Sequence, residues 1–345
     1  MNSQHDCRFS RCFVGIRRTV FFCFWVALTA VPGQAARVLV EAESFSNIGG
    51  WTVDAQFIDQ MGSPYLLAHG LGKQVAPATT EVAFPEKGEY RVFVRTLDWV
   101  ARWDVPGTPG CFVLVVDGKQ LDTIFGATGA AWHWQAGGRV NIDRDVVKLE
   151  LRDQTGFEGR CDAILFVKEP GFTPAADYRP ERARAMEDAG RYDFVVVGGG
   201  VAGTCAAVRA ARQGMKVALI QNRPVLGGNN SSEVRIGMLG TTMQPPFPRL
   251  GRVVAELDTG NRWDDGHKLA VVEAEPNIRL FLNHHVLAVE KSGNRIDAVI
   301  AQHVRTGQRK RFRAPLFADC TGDGNLGFLA GADWRMGREG RRETG

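Results

Sequence analysis

The sequence predicts two domains, an antiparallel β-sandwich followed by an α/β domain built on a parallel sheet. Three observations carry this expectation. The 345 residues are enough for two separate cores. Residues 37–168 hold short alternating apolar segments with turn signals between them and no helical periodicity of useful length. Residues 192–203, YDFVVVGGGVAG, then read as a buried strand running straight into a glycine-rich turn and a helix. At 44% hydrophobic and 23% charged residues, the composition excludes disordered and fibrous classes.

Residues 1–36 read as a leader. Arg8, Arg11, Arg17 and Arg18 precede an apolar run from Val20 to Val31, and Gly33, Gln34 and Ala35 supply small residues at the expected cleavage point. The run is too short to span a bilayer comfortably. It therefore predicts a periplasmic or secreted protein with no stable membrane insertion, the alternative being an uncleaved anchor or a misassigned start. The Arg17–Arg18 pair resembles a twin-arginine export signal, and ordinary secretion is equally open. The leader accounts for four of the 42 basic and one of the 38 acidic residues, which leaves 38 and 37, a net charge of +1. No basic footprint recommends nucleic acid as a partner.

Cys111, Cys161, Cys205 and Cys320 remain beyond the leader, without a C-x-x-C pair. In an oxidising compartment Cys111 and Cys161 have two readings, one disulfide or two buried thiols. Cys205 and Cys320 read as small core residues.

In the first domain, segments 38–43, 89–96, 112–118, 146–153 and 163–169 read as strands, with Asp117-Gly118 as a hairpin turn. Trp51, Trp99, Trp103, Trp132 and Trp134 crowd this region, either as core packing or as rings that stack on sugars. Trp132 and Trp134 alternate, which sends both rings to one face if the segment is a strand. The pieces Glu41-Ala42-Glu43, Gly50-Trp51, Gly88-Glu89-Tyr90, Val116-Asp117-Gly118 and the run 159–164 resemble the jelly-roll carbohydrate-binding modules of the galactose-binding-like superfamily. That resemblance implies a structural calcium held by Glu41, Glu43 and Asp162, whose hard oxygens suit the ion.

Residues 169–190 read as a linker with one surface helix over 180–189. The second domain, 191–345, opens on Gly198, Gly200 and Gly203, which fit G-x-G-x-x-G between a strand and a helix over 201–213. The first glycine permits the tight turn, the second admits a pyrophosphate to the backbone, and the third lets helix and strand pack closely. Free N–H groups at the helix start then face the diphosphate, as in a Rossmann-like fold. The strand 216–220 ends at Gln221 where an acid normally binds the adenosine ribose; an amide donates and accepts there without charge. Arg223 nearby raises NADP as an alternative. A second glycine pair, Gly227-Gly228, instead suits a longer dinucleotide. Segments 277–283, 286–291, 296–304 and 308–314 read as a strand and a small antiparallel meander, and 315–324 as a buried strand ending in a turn before a helix at 326–330.

The order VVVGGGVAG, RPVLGGNNSSE, DCTGDG makes residues 191–333 resemble the FAD-dependent oxidoreductases of the glutathione-reductase-like superfamily. The resemblance implies FAD contacts at Gly198, Gly200, Val201, Ala202 and Gly203, and at Gln221, Asn222 and Arg223. It also implies contacts at Gly227, Gly228, Asn229, Ser231 and Ser232, and at Thr321, Gly322 and Asp323. Asp323 has a second reading as the cap of the next helix. Relatives continue with a substrate-capping region, so the chain reads as C-terminally truncated at Gly345 or dependent on a missing segment.

The expected function is an exported flavin-dependent oxidoreductase that takes hydride from a small-molecule or carbohydrate-related substrate. The alternative is a non-catalytic carbohydrate-binding protein. No residue is assigned to catalysis: His284, His285 and Glu273 are polar candidates whose ordinary reading is meander or surface. No G-x-S-x-G, Walker loop or H-E-x-x-H occurs, which removes those hydrolase classes.

Overall fold

A computed structural model of the chain describes residues 36–335 apart from 104–105, 180–185, 239–242, 247, 250 and 262, together with residue 337. The leader up to residue 35 and the first part of the expected linker helix lie outside the described residues. Among the described residues no helix is long and apolar enough to cross a membrane.

The N-terminal part is built from antiparallel strands in three sheets. Arg37–Glu41, Ala163–Val167, Gly88–Thr96 and His133–Ile142 form one, in that order; Ala78–Ala83, Val146–Asp153, Phe112–Val116 and Lys119–Gln120 form another. A third joins Phe157–Cys161, Tyr65–His69 and Thr52–Asp54. The inward side chains of all three, Phe112 and Phe166 among them, share one apolar core with Phe45, Trp51 and Phe125 from the connections. Tyr65–His69 was not foreseen because four of its five residues are buried, so it lacks the alternation that marks a half-exposed strand.

Two expectations for this part are corrected, and of the two cysteine readings the thiols are found. The calcium is not supported: among the described residues no group of three or more Asp, Glu, His or Cys side chains is placed to hold a metal. Glu41, Glu43 and Asp162 are all buried, but Asp162 faces the Arg95 guanidinium at 3.6 Å and accepts from the Ser63 hydroxyl at 3.3 Å. Burial, with Glu41 close by, pushes the Asp162 carboxyl well up, whereas a hard cation needs ionised oxygens. No disulfide forms; Cys161 is a buried thiol and Cys111 a half-buried one whose Sγ donates to the Thr108 carbonyl at 2.8 Å. Trp132 and Trp134 do not share a face: Trp132 packs with Met61, Tyr65 and Leu67, Trp134 with Phe93 and Tyr178.

The C-terminal part holds two further sheets. Ile278–Phe281, Val217–Ile220, Phe194–Val197 and Leu316–Asp319 lie parallel in that order, with Phe194 opposite both Val217 and Leu316. Helix Val201–Ala211 covers one face through Ala207, Val208 and Ala211, small enough for close approach to the strands. His284–Ser292, Arg295–His303 and Arg309–Arg313 form an antiparallel meander that packs on the other face through Val286, Val299 and Phe312. The linker helix is corrected in its second half: Met186–Arg191 is a strand, parallel to Arg309–Arg313. Its first three residues are exposed, so no apolar pattern announced it.

The two parts meet. Gln302, completely buried, donates from Nε2 to the Gly62 carbonyl at 3.1 Å. Arg305 donates from Nη2 to the Phe45 carbonyl at 2.9 Å and from Nε to that of Glu43 at 3.4 Å. Val304 packs on Ala55 and Ile58. Removing the Gln302 amide takes one donor from the Gly62 carbonyl and one acceptor from Arg309 Nε. Gln302→Ala is therefore expected to lower stability by about 1–3 kcal/mol, read as a fall in the urea midpoint without a change in the slope.

Candidate cofactor cleft

Strand Phe194–Val197 and its neighbour Leu316–Asp319 end side by side, and the chain turns sharply at both ends. Gly198 sits at φ +102°, and a Cβ there would lie 2.3 Å from the Cys320 carbonyl oxygen. A Cβ on Gly203 would lie 1.8 Å from the Gly198 carbonyl oxygen. Both glycines are needed for backbone to pass backbone. Gly200 is different: a Cβ there meets nothing within 4 Å. It is the residue before helix Val201–Ala211, and no side chain caps that helix start. Its N–H groups and positive dipole end face open space, the arrangement that accepts a diphosphate.

The second glycine pair folds onto this turn. The Gly227 N–H donates to the Gly199 carbonyl at 2.8 Å, and Gly227 takes φ +107°. Gln221 binds the two loops together: its Oε1 accepts the Gly199 N–H at 2.8 Å and its Nε2 donates to the Val225 carbonyl at 3.1 Å. The side chain is buried and both ends of its amide are engaged with backbone.

These loops surround a cleft of about 700 Å³. All the expected contact residues line it except Gly203, Ser231 and Ser232. Gly203 faces the turn itself. Ser231 is buried and donates its hydroxyl to the Gly228 carbonyl at 2.6 Å, and the Ser232 N–H goes to Asp265 Oδ1 at 3.0 Å; both hold the loop. Asp323 lines the cleft and does not cap the following helix: Gly324 occupies the cap position of Asn325–Ala330 without a side-chain bond, and Asp319 Oδ2 accepts the Gly327 N–H at 2.8 Å. Sequence reasoning left Ile236, Met238 and Asn325 out of the cleft, and nothing in their local pattern marks them. His284 and His285 were noted without a role. Both line the cleft, because the strand Ile278–Phe281 ends beside Gln221 and the His284 N–H donates to the Gln221 carbonyl at 2.9 Å.

The cleft carries little free charge. Arg223 and Glu233 form a two-point pair, Nε–Oε2 at 2.8 Å and Nη2–Oε1 at 3.0 Å, so the cation that an NADP phosphate would need is already matched. Burial pushes the Cys205 thiol up to about 11 and raises that of Cys320, which keeps both protonated. Burial also holds His284, His285 and His303 below the ordinary imidazole range, so all three are neutral at pH 7.

Residues 193–345 match the family model described as FAD dependent oxidoreductase. The match falls on the part of the chain that holds the cleft. A 38-residue stretch of the chain is 58% identical to the soluble pyridine nucleotide transhydrogenase of Ectopseudomonas mendocina (strain ymp), and covers 11% of this chain and 8% of that relative. The chain thus matches only a small fraction of the relative's length. The L-proline dehydrogenase from P. horikoshii is 24% identical over 42% of this chain and 25% of its own, with a TM-score of 0.26. The CBM36-1 domain of a multidomain xylanase from the hindgut metagenome of Trinervitermes trinervoides is 12% identical over 39% of this chain and 98% of its own, with a TM-score of 0.30. At TM-scores this low neither structure bears on fold or function.

In the matched part, Gly203→Ala forces its methyl into the Gly198 carbonyl and is expected to cost about 1–3 kcal/mol, measured by urea unfolding. The histidines predict the acid response. Their folded-state pKa values lie below the unfolded value near 6.5, so the unfolded chain binds more protons as pH falls through that point, and stability drops there. Urea midpoints at about pH 7.5 and about pH 5.5 should differ in that direction, and His303→Gln should shrink the difference.

Proposed function

We propose that the cleft binds FAD in extended form. Its diphosphate lies at Gly200 and the start of helix Val201–Ala211, and its isoalloxazine end lies toward Gly228, Asn229 and the Thr321–Asp323 turn. The open space at Gly200, set between two glycines that are closed by their neighbours, is the observation that carries this reading. Such a flavin would supply two-electron chemistry, with a hydride equivalent taken from a substrate carbon, the accompanying X–H proton lost to solvent and an external acceptor restoring the oxidised form. The chain's own contribution is placement. The uncapped helix start meets the phosphates, Gln221 fixes the two glycine loops against each other, and Thr321 is held by Asp319 Oδ1 at 2.7 Å through its hydroxyl.

A carbohydrate-related substrate is supported by an aromatic ledge on the N-terminal part. Trp103 and Phe157 are exposed and pack on Trp99, the first edge-on and the second stacked, with ring centroids 5.9 and 5.8 Å from it, a cluster of exposed aromatic surface of the kind that sugars contact. The leader pattern of residues 1–36 supports export to the periplasm or medium. The jelly-roll and Rossmann-like descriptions of the two parts belong to the same proposal.

Protein reconstituted with FAD and desalted should retain the visible absorption of oxidised flavin. Gly200→Val should fold with an unchanged urea midpoint and lose that absorption, because its side chain fills the diphosphate space. A coloured Gly200→Val protein, or a colourless wild type, would sink the assignment.

A further inference from the structure

The acid that ordinarily reads the adenosine ribose is replaced by Gln221, and both ends of that amide are engaged with the backbone of the glycine loops. A ribose at the end of Val217–Ile220 therefore needs another polar partner. His285 lies beside that position: the residue before it bonds to the Gln221 carbonyl, and His285 is among the residues lining the cleft.

The ring's orientation comes from the N-terminal part. Nε2 is buried, makes no hydrogen bond among the described residues, and lies 3.8 Å from Asp59 Oδ1. Asp59 belongs to the one-turn helix Ile58–Met61, which is seated on the C-terminal part by the Ile58–Val304 contact and the Gln302–Gly62 bond. A carboxylate on that side favours the tautomer with the proton on Nε2. Nδ1, on the ring's other edge, is then an acceptor, which suits a hydroxyl and not a phosphate.

We propose that His285 accepts a hydrogen bond from the ribose hydroxyls of the bound dinucleotide and that Asp59, on the N-terminal part, is its positioning residue. This rests on the cleft being the dinucleotide site. It also gives the N-terminal part a fixed place in cofactor binding, separate from any contact with carbohydrate. Two carboxylates face the His285 ring, Asp59 from the N-terminal helix and Asp323 from the turn after Leu316–Asp319, and both favour its charged form against the burial that opposes it.

The test compares ADP with 2′,3′-dideoxy-ADP by isothermal titration on the full chain freed of flavin. Wild type should bind ADP about 3- to 10-fold more tightly, the value of one hydrogen bond. His285→Ala should bind the two equally, and His285→Asn, which keeps an acceptor near the Nδ1 position, should restore part of the preference. ADP affinity should weaken as His285 takes up a proton in acid. Asp59→Asn should move that weakening to lower pH, because the carboxylate that favours the charged ring is gone; a merely structural role for Asp59 would leave the profile in place. A His285→Ala protein that still prefers ADP as strongly as wild type overturns the proposal. A wild type that binds neither ADP nor FAD overturns the reading of the cleft instead.

Discussion

The C-terminal part depends on backbone passing backbone where two parallel strands end together. The Cys320 N–H donates to the Val197 carbonyl at 2.7 Å, which locks the end of Leu316–Asp319 to the end of Phe194–Val197. No Cβ fits at Gly198 between them, and none fits at Gly203 where the helix returns over the turn. Those two contacts set the distance of helix from sheet, and that distance leaves the helix start uncapped above the strands. The motif's three glycines thus divide their work: two close the structure, and the third, Gly200, stays open for a ligand.

Gln221 shows how one change in a motif moves a task elsewhere. A carboxylate at the strand end would carry charge toward a ribose and could only accept. The amide does both, so it takes one bond from the Gly199 N–H and gives one to the Val225 carbonyl. The glycine loops gain a tie, and the cleft loses its usual polar group at that end. Near the same end Arg223 feels Asp54 and Tyr65 besides its partner Glu233, and His285 feels Asp59. The N-terminal part thus contributes to the field in the cleft through residues that its own strands and short helix carry.

The strand–turn–helix of residues 194–211 was legible because its signals are local: a run of β-branched residues, glycines at fixed offsets, then alanines. The meander was legible by alternation, and every expected strand of 38–43, 89–96, 112–118, 146–153 and 163–169 has a counterpart shifted by a few residues at most. What escaped depended on partners distant in sequence. Met186–Arg191 is half charged and pairs with a strand more than a hundred residues away. Glu41, Glu43 and Asp162 had the right chemistry for calcium, but Arg95, invisible to a motif, stands against Asp162. The engagement of Gln221 required knowing that Gly199 and Val225 lie on either side of it. Residue type predicted what each group could do, and only the fold decided whether the group was free to do it.

The charge balance of the cleft sets what kind of binding it supports. Arg223 is matched by Glu233, the imidazoles are neutral by burial, the thiols stay protonated, and Asp323 adds a carboxylate. A diphosphate entering such a site meets no free cationic side chain among the described residues. The main electrostatic term in its favour is the helix start at Gly200, equivalent to about half a positive charge and confined to the first turn. Affinity must then come from hydrogen bonds to backbone N–H groups and from shape, which screening by salt weakens far less than it weakens a pair of exposed charges. On the proposed reading, the chain would hold and orient the cofactor chiefly through its backbone, and the redox chemistry would be the flavin's own.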